Sequence, residues 1–300
     1  MLDVFLDVVL PVIIVALLGG AVGRWRGITV PPLSGLVFYL FGPALVFDSM
    51  SKTELSAELG LKILAVMVVT LVTMFVAASV WSSLRKHDAG LRAGFALAAT
   101  SPNVGNMGLP VSALAFGDLG LQVAVVNFVA GAVLVNSAGI AIASMAERRD
   151  AWSALLTPFK YPYLYAAGAG IVVKVLDIDL PTVVASPVET MAGATIPIML
   201  VVLGLQLRNV AEHEDLVDTA AVNIGRLLIA PIAAWVAATA LGLEGVERGT
   251  LVILAAMPVA VITTILATEF RARPDFVTRV VITSTLASIL SLTILIDVVK

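Results

Sequence analysis

Thr100-Ser101-Pro102-Asn103-Val104-Gly105-Asn106-Met107-Gly108-Leu109-Pro110 interrupts an otherwise apolar run over residues 91–115. Two prolines, two glycines and two asparagines in eleven residues do not make an unbroken helix. Proline removes a backbone donor and clashes with the preceding turn. Glycine lowers helix stability by about 1 kcal/mol against alanine. Gly108 and Pro110 therefore read as helix-breaking residues. In lipid, the freed amides and carbonyls must find partners in protein or in a water-filled cavity. A break of this kind is tolerated where it lines a site.

The surroundings of the break are lipid-like. Of 300 residues, 60% are hydrophobic and 13% charged, and mean hydropathy is +1.04. Soluble domains are about 25% charged and about 45–50% apolar. No basic patch or tail points to nucleic acid, and the net charge of −3 indicates nothing about partners. With no cysteine, disulfides, thiolate metal sites and cysteine nucleophiles are excluded. His87 and His213 both stand among charges and read as solvated loop residues, so no metal site is expected. No nucleophile–base pair sits in an apolar segment and no Gly-rich nucleotide loop occurs. Enzymatic and ATP-driven functions are thus not encoded.

A spanning helix needs about 20 mostly apolar residues. Ten segments approach that: 4–23, 32–50, 61–84, 91–115, 120–145, 161–177, 184–207, 219–241, 249–270 and 276–298. The first carries Asp3 where a signal peptide would carry Lys or Arg, so it reads as a retained membrane helix. Lys and Arg in alternate loops divide thirteen against five. The richer side is expected to be cytoplasmic, which places both termini outside the cell membrane.

The two halves show an offset of about 150 residues. Pro11 falls on Pro162, Pro43 on Pro197, Trp81 on Trp235, and Ser101-Pro102 on Met257-Pro258. Five helices per repeat forces the second copy to enter from the opposite side. The expected fold is therefore an all-α integral membrane protein of ten transmembrane helices. Residues 1–150 and 151–300 would form two inverted five-helix repeats, as in secondary transporters.

On that reading, the fourth helix breaks at Pro102 and the ninth, more mildly, at Pro258. The half-helix N-termini carry about half a positive charge each and unpaired N–H groups. They attract a carboxylate without a buried Lys or Arg. The candidate substrate-binding residues are Ser101, Pro102, Asn103, Gly105, Asn106, Met257, Pro258 and Val259, with Asn127 near the same depth. Asn127 and Asn136 lie nine positions apart and face different directions. Gln206 reads as lying near a cytoplasmic helix end, and Arg226 as snorkelling to the interface. Asp48, Asp118, Glu189 and Glu269 all fall near helix ends. No carboxylate sits at a helix centre, which argues against a sodium/proton antiporter.

The pattern Ser101-Pro102-Asn103 through Met107-Gly108-Leu109-Pro110, then Phe116-Gly117, resembles the auxin efflux carrier family. Met257-Pro258, Ala267-Thr268-Glu269-Phe270, Pro274-Asp275, Leu203-Gly204-Leu205-Gln206-Leu207 and Gly225-Arg226-Leu227 to Pro231 also fit it. The resemblance implies a fold shared with the bile-acid sodium symporters. Helices 1, 2, 6 and 7 would form a scaffold and dimer interface; helices 3–5 and 8–10 would form a transport domain moving as an elevator. It implies that Asn103 and the backbone around Pro102 and Pro258 hold the carboxylate of a small organic acid, auxin-like or dicarboxylic. No cofactor is implied, and sodium or proton coupling is left open. The alternative is a non-transporting membrane sensor of the same fold.

Overall fold

The computed structural model describes residues 1–144, 161–206 and 216–300. His213 and the basic residues Arg148, Arg149, Lys160 and Arg208 lie outside them, as does the side chain of Asn136. The described chain is all helical, with no strand. In order it forms α1 (Leu2–Arg26), α2 (Val30–Ser51), α3 (Ala57–Leu84) and α4 (Ala89–Thr100). A wide turn, Val104–Gly108, then opens α5 (Leu109–Ser144). There follow α6 (Pro162–Val175), α7 (Thr182–Gln206), α8 (Leu216–Ala240), α9 (Gly245–Ala255), α10 (Ile262–Glu269) and α11 (Pro274–Val299).

Seven described helices are long and apolar enough to cross a membrane: α1, α2, α3, the Val104–Val135 stretch, α7, α8 and α11. The ten-segment expectation exceeds this count for a physical reason. The breaks leave α4, α9 and α10 with 12, 11 and 8 residues and α6 has 14, all too short to span alone, while the Val104–Val135 stretch takes in parts of two expected segments. α5 is also two arms joined at Gly117, whose φ of 64° and ψ of −151° suit glycine and end the first arm.

Sequence dictates where these helices start and stop. Asp88 caps α4, its Oδ1 accepting the Leu91 N–H at 2.8 Å, and Ser56 caps α3 by accepting from Leu59 at 3.1 Å. α4 stops at Ser101, which precedes proline; that disfavours the helical region, and its φ/ψ is −112°/87°. α9 ends at Ala255, two residues before Met257, which precedes Pro258 in the same way.

Packing joins α1 to α7, α2 to α6 and α7, α3 to α8 and α4, and α5 to α9. Phe95, Leu97, Phe276 and Val280 centre one buried cluster between α4 and α11. Val8, Val12, Met107, Leu203 and Leu292 centre another between α1, α7 and α11.

The solvated reading of His87 is corrected by this packing. Its side chain is 4% exposed, with Nε2 3.2 Å from Asp218 Oδ2. Trp81 Nε1 donates to Asp218 Oδ1 at 2.7 Å, so the end of α3 and the loop after it both dock on the start of α8. Local sequence shows charges around His87; the docking that buries it is tertiary.

Asp88 supplies a checkable pH effect. The Leu91 N–H and the Arg273 guanidinium (3.0 Å) hold its carboxyl below the ordinary value of 3.8. Its stabilising contribution is therefore present above that value and is lost as pH falls through the lower folded value. Asp88→Ala is expected to cost about 1 kcal/mol, as loss of a helix cap does. Thermal melts at pH 7 and below pH 4 check it: the difference from wild type shrinks at the lower pH.

Candidate substrate site at the helix crossover

The two breaks meet. Ser101–Asn103 and Pro258–Ala260 run antiparallel, with Pro102 opposite Val259. The Asn103 N–H donates to the Pro258 carbonyl at 2.8 Å, and the Ala260 N–H to the Ser101 carbonyl at 2.9 Å. The Val259 N–H donates to Ser284 Oγ of α11 at 3.1 Å. On the α5 side, the Val104 N–H donates to Pro102 O at 2.9 Å and the Gly108 N–H to Asn103 O at 3.0 Å. These bonds satisfy backbone groups that each break takes out of its helix, as a lipid setting requires.

Three more carbonyls at the breaks are met by Arg226 of α8. Its Nη2 donates to Ala255 O at 2.7 Å and to Met257 O at 3.1 Å; its Nη1 donates to Ala99 O at 3.3 Å. The residue is 1% exposed. The snorkelling reading is thus corrected: the guanidinium lies under the crossover, not at an interface. The helical carbonyl ends of α4 and α9 draw it inward, because a C-terminal helix end is negatively polarised.

Beside the crossover lies a cavity of about 420 Å³. One wall is Pro102–Asn106, Asn127 and Phe128, with Ala260–Ile262. The facing wall comes from α2 (Pro31, Phe38), the chain entering α6 (Tyr161, Tyr163) and α7 (Met199, Gln206). Phe38 packs edge-on against Tyr161 and Tyr163, at centroid distances of 5.3 and 5.2 Å, and Phe128 packs edge-on against Tyr163 at 5.0 Å. The Tyr163 hydroxyl donates to the Val37 carbonyl at 3.2 Å. No acidic side chain lines the cavity among the described residues. Nor could any cluster of three His, Asp or Glu among them hold a metal ion.

The residues singled out from sequence divide in two. Pro102, Asn103, Gly105, Asn106 and Asn127 line the cavity. Ser101, Met257, Pro258 and Val259 do not; they build the brace behind it, and Met257 and Val259 are fully buried. Gly108 lies against Leu254 and Met257, and Pro110 is buried. Asn103 is 5% exposed, and its Nδ2 has no hydrogen-bond partner. Asn106 Nδ2 donates to Gln206 Oε1 at 3.4 Å, tying the two walls together.

Sequence reasoning missed the roles of Arg226, Gln206 and the aromatic wall. A signal for Arg226 was present: it stands in an apolar stretch with no acidic residue three or four positions away on either side.

The ends of the half-helices are sorted by sign. The N-terminal ends, at Asn103–Asn106 and Ala260–Ile262, border the cavity. The C-terminal ends, at Ala99 and at Ala255–Met257, face Arg226. The arrangement offers N–H groups and positive polarisation to a bound group and keeps carbonyl ends away from it.

Residues 4–296 match the family described as membrane transport protein. The chain is 28% identical over 294 residues to an uncharacterized transporter of Methanothermobacter thermautotrophicus, covering 95% of each chain. It is 25% identical over 275 residues to an uncharacterized transporter of Methanocaldococcus jannaschii, covering 88% of this chain and 89% of the relative. With its apolar helices and a match across almost its whole length, the chain is a multi-pass membrane protein and belongs to the membrane transport protein family, that of the auxin efflux carriers.

Proposed function

We propose that the chain is a secondary carrier of a small organic anion whose carboxylate binds at the crossover. The observation that carries this reading is the unpartnered Asn103 amide in the cavity wall, beside two half-helix N-termini and away from any lining acid. A buried polar group without a partner is costly, so an acceptor brought by a ligand would be bound there. The apolar and aromatic remainder of the wall fits the body of an auxin-like acid better than a second carboxylate. Gly105, Asn106 and Asn127 would orient the bound group, while Ser101 and Met257–Val259 hold the brace.

The carrier would be built from ten spans in two inverted repeats, 1–150 and 151–300. The order of elements supports this: three helices, a broken segment and a long helix follow one another in each half. α1, α2, α6 and α7 would form the scaffold, joined to a second copy in a homodimer. α3–α5 and α8–α11 would form the moving domain of an elevator. The cavity lies between these two groups, as alternating access requires. Both termini would face outward in the cell membrane.

Uptake of a panel of radiolabelled monocarboxylates and dicarboxylates into proteoliposomes tests the proposal. Saturable uptake of at least one monocarboxylate is expected. Saturable binding without flux would instead favour a sensor, and neither binding nor flux for any acid would sink the reading.

A further inference from the structure

Arg226 is a charge without an acid. No carboxylate lies within ion-pairing distance of it among the described residues, and its guanidinium bonds only to backbone carbonyls. A lone buried charge inside a membrane protein is expensive and marks a functional position. What balances it here is geometry. Two helices, α4 and α9, end their carbonyl rows on the same guanidinium. Each end is worth about half a negative charge, so together they offer about one, which a single guanidinium neutralises.

Backbone carbonyls at unwound helix ends are also what holds a sodium ion in coupled carriers. In this chain three carbonyls at the two helix ends, Ala99, Ala255 and Met257, accept from Arg226 instead. The planar fork of an arginine reaches carbonyls on two helices at once, which a point-like ammonium does less well. The guanidinium is not placed to bind the transported molecule itself. The space beside it, bordered by Thr100, Pro102, Asn127 and Arg226, is about 40 Å³, enough for water but far below a ligand pocket of about 300 Å³.

We propose that Arg226 is a built-in counter-cation of the crossover, standing where a coupling sodium would bind, so that the carrier works with no sodium ion there. The inference rests on the anion-carrier reading for its consequence. Its test does not, because cation binding is measured without any transported acid. Failure of the anion reading would appear in the uptake panel instead.

The experiment uses purified full-length protein. Equilibrium binding of radioactive sodium and melting temperature in sodium chloride against choline chloride, at equal ionic strength, are measured first. The wild type is expected to bind no sodium saturably and to melt at the same temperature in both salts, since a ligand of the folded state would raise it. Saturable sodium binding by the wild type overturns the proposal. Arg226→Ala is then prepared with and without methylguanidinium chloride. A lowered melting temperature that sodium or methylguanidinium partly restores is the expected result. Melting like the wild type, with no response to either cation, overturns it. If Arg226→Ala yields no folded protein in any salt, the wild-type measurement alone decides, with Arg226→Lys expected to remain sodium-insensitive.

Discussion

Asn103→Ala leaves the protein folded and lowers uptake of the carried acid by about ten- to a hundredfold. A hydrogen bond to a charged group contributes about 1.5–3 kcal/mol, which sets that range. The fold survives because the bracing role of Asn103 is carried by its backbone. Its N–H binds Pro258 and its carbonyl receives the Gly108 N–H. Its φ/ψ of −80°/62° is open to alanine, and its Nδ2 binds nothing in the protein. The wild-type and variant melting temperatures should therefore agree, or the variant should melt slightly higher, since an unsatisfied buried amide has been removed. Uptake and melting must be read together: a large fall in melting temperature would mean that the amide supports the fold rather than the ligand.

Gly204→Val is expected to abolish folded protein. A Cβ at Gly204 would stand 1.7 Å from the carbonyl oxygen of Ala16 on α1. That neighbour is backbone in the middle of a helix, so it cannot turn aside as a side-chain tip would. Small residues let membrane helices approach in this way, and close packing rather than hydrophobicity joins them. Overpacking a core costs about 1–3 kcal/mol where side chains can yield, and more where they cannot. α1 would have to leave α7, breaking the buried cluster around Val12 and Leu203. Gly193 in the same helix is the control, with nothing within 4 Å of its added Cβ. Gly193→Ala should melt at or above the wild-type temperature, because alanine is favoured over glycine by about 1 kcal/mol in helices. Size-exclusion profiles in detergent and thermal melts of the two variants check the contrast.

The break at 100–110 was legible because proline, glycine and asparagine act locally. Pro102 disfavours a helical Ser101 and removes a backbone donor, and the glycines and asparagines that follow add to the break. That α4 and α9 would meet there was inferable only from the weak register between halves. The bonds that join them, Asn103 to Pro258 and Ala260 to Ser101, belong to tertiary structure. Arg226 was misjudged because its partners are 127 and 29 residues away in sequence, and a local window shows only an arginine close to a helix end. The aromatic wall was invisible for the same reason: Phe38, Phe128 and the pair Tyr161 and Tyr163 come from three separate segments. Hydropathy read the ten apolar segments evenly, yet a run such as 249–270 contains a stop at Ala256–Val261 that average hydropathy does not register.

A matched pair of ligands shows whether the crossover reads a carboxylate. The tightest-binding monocarboxylate of the uptake panel and its primary amide share one body and differ in charge and in the group presented to Asn103. Their equilibrium binding to the purified wild type is measured side by side by titration calorimetry. The acid is expected to bind and the amide to lose at least tenfold in affinity, the loss that removal of one charge-assisted hydrogen bond of about 1.5 kcal/mol brings. Equal affinity for acid and amide would contradict it.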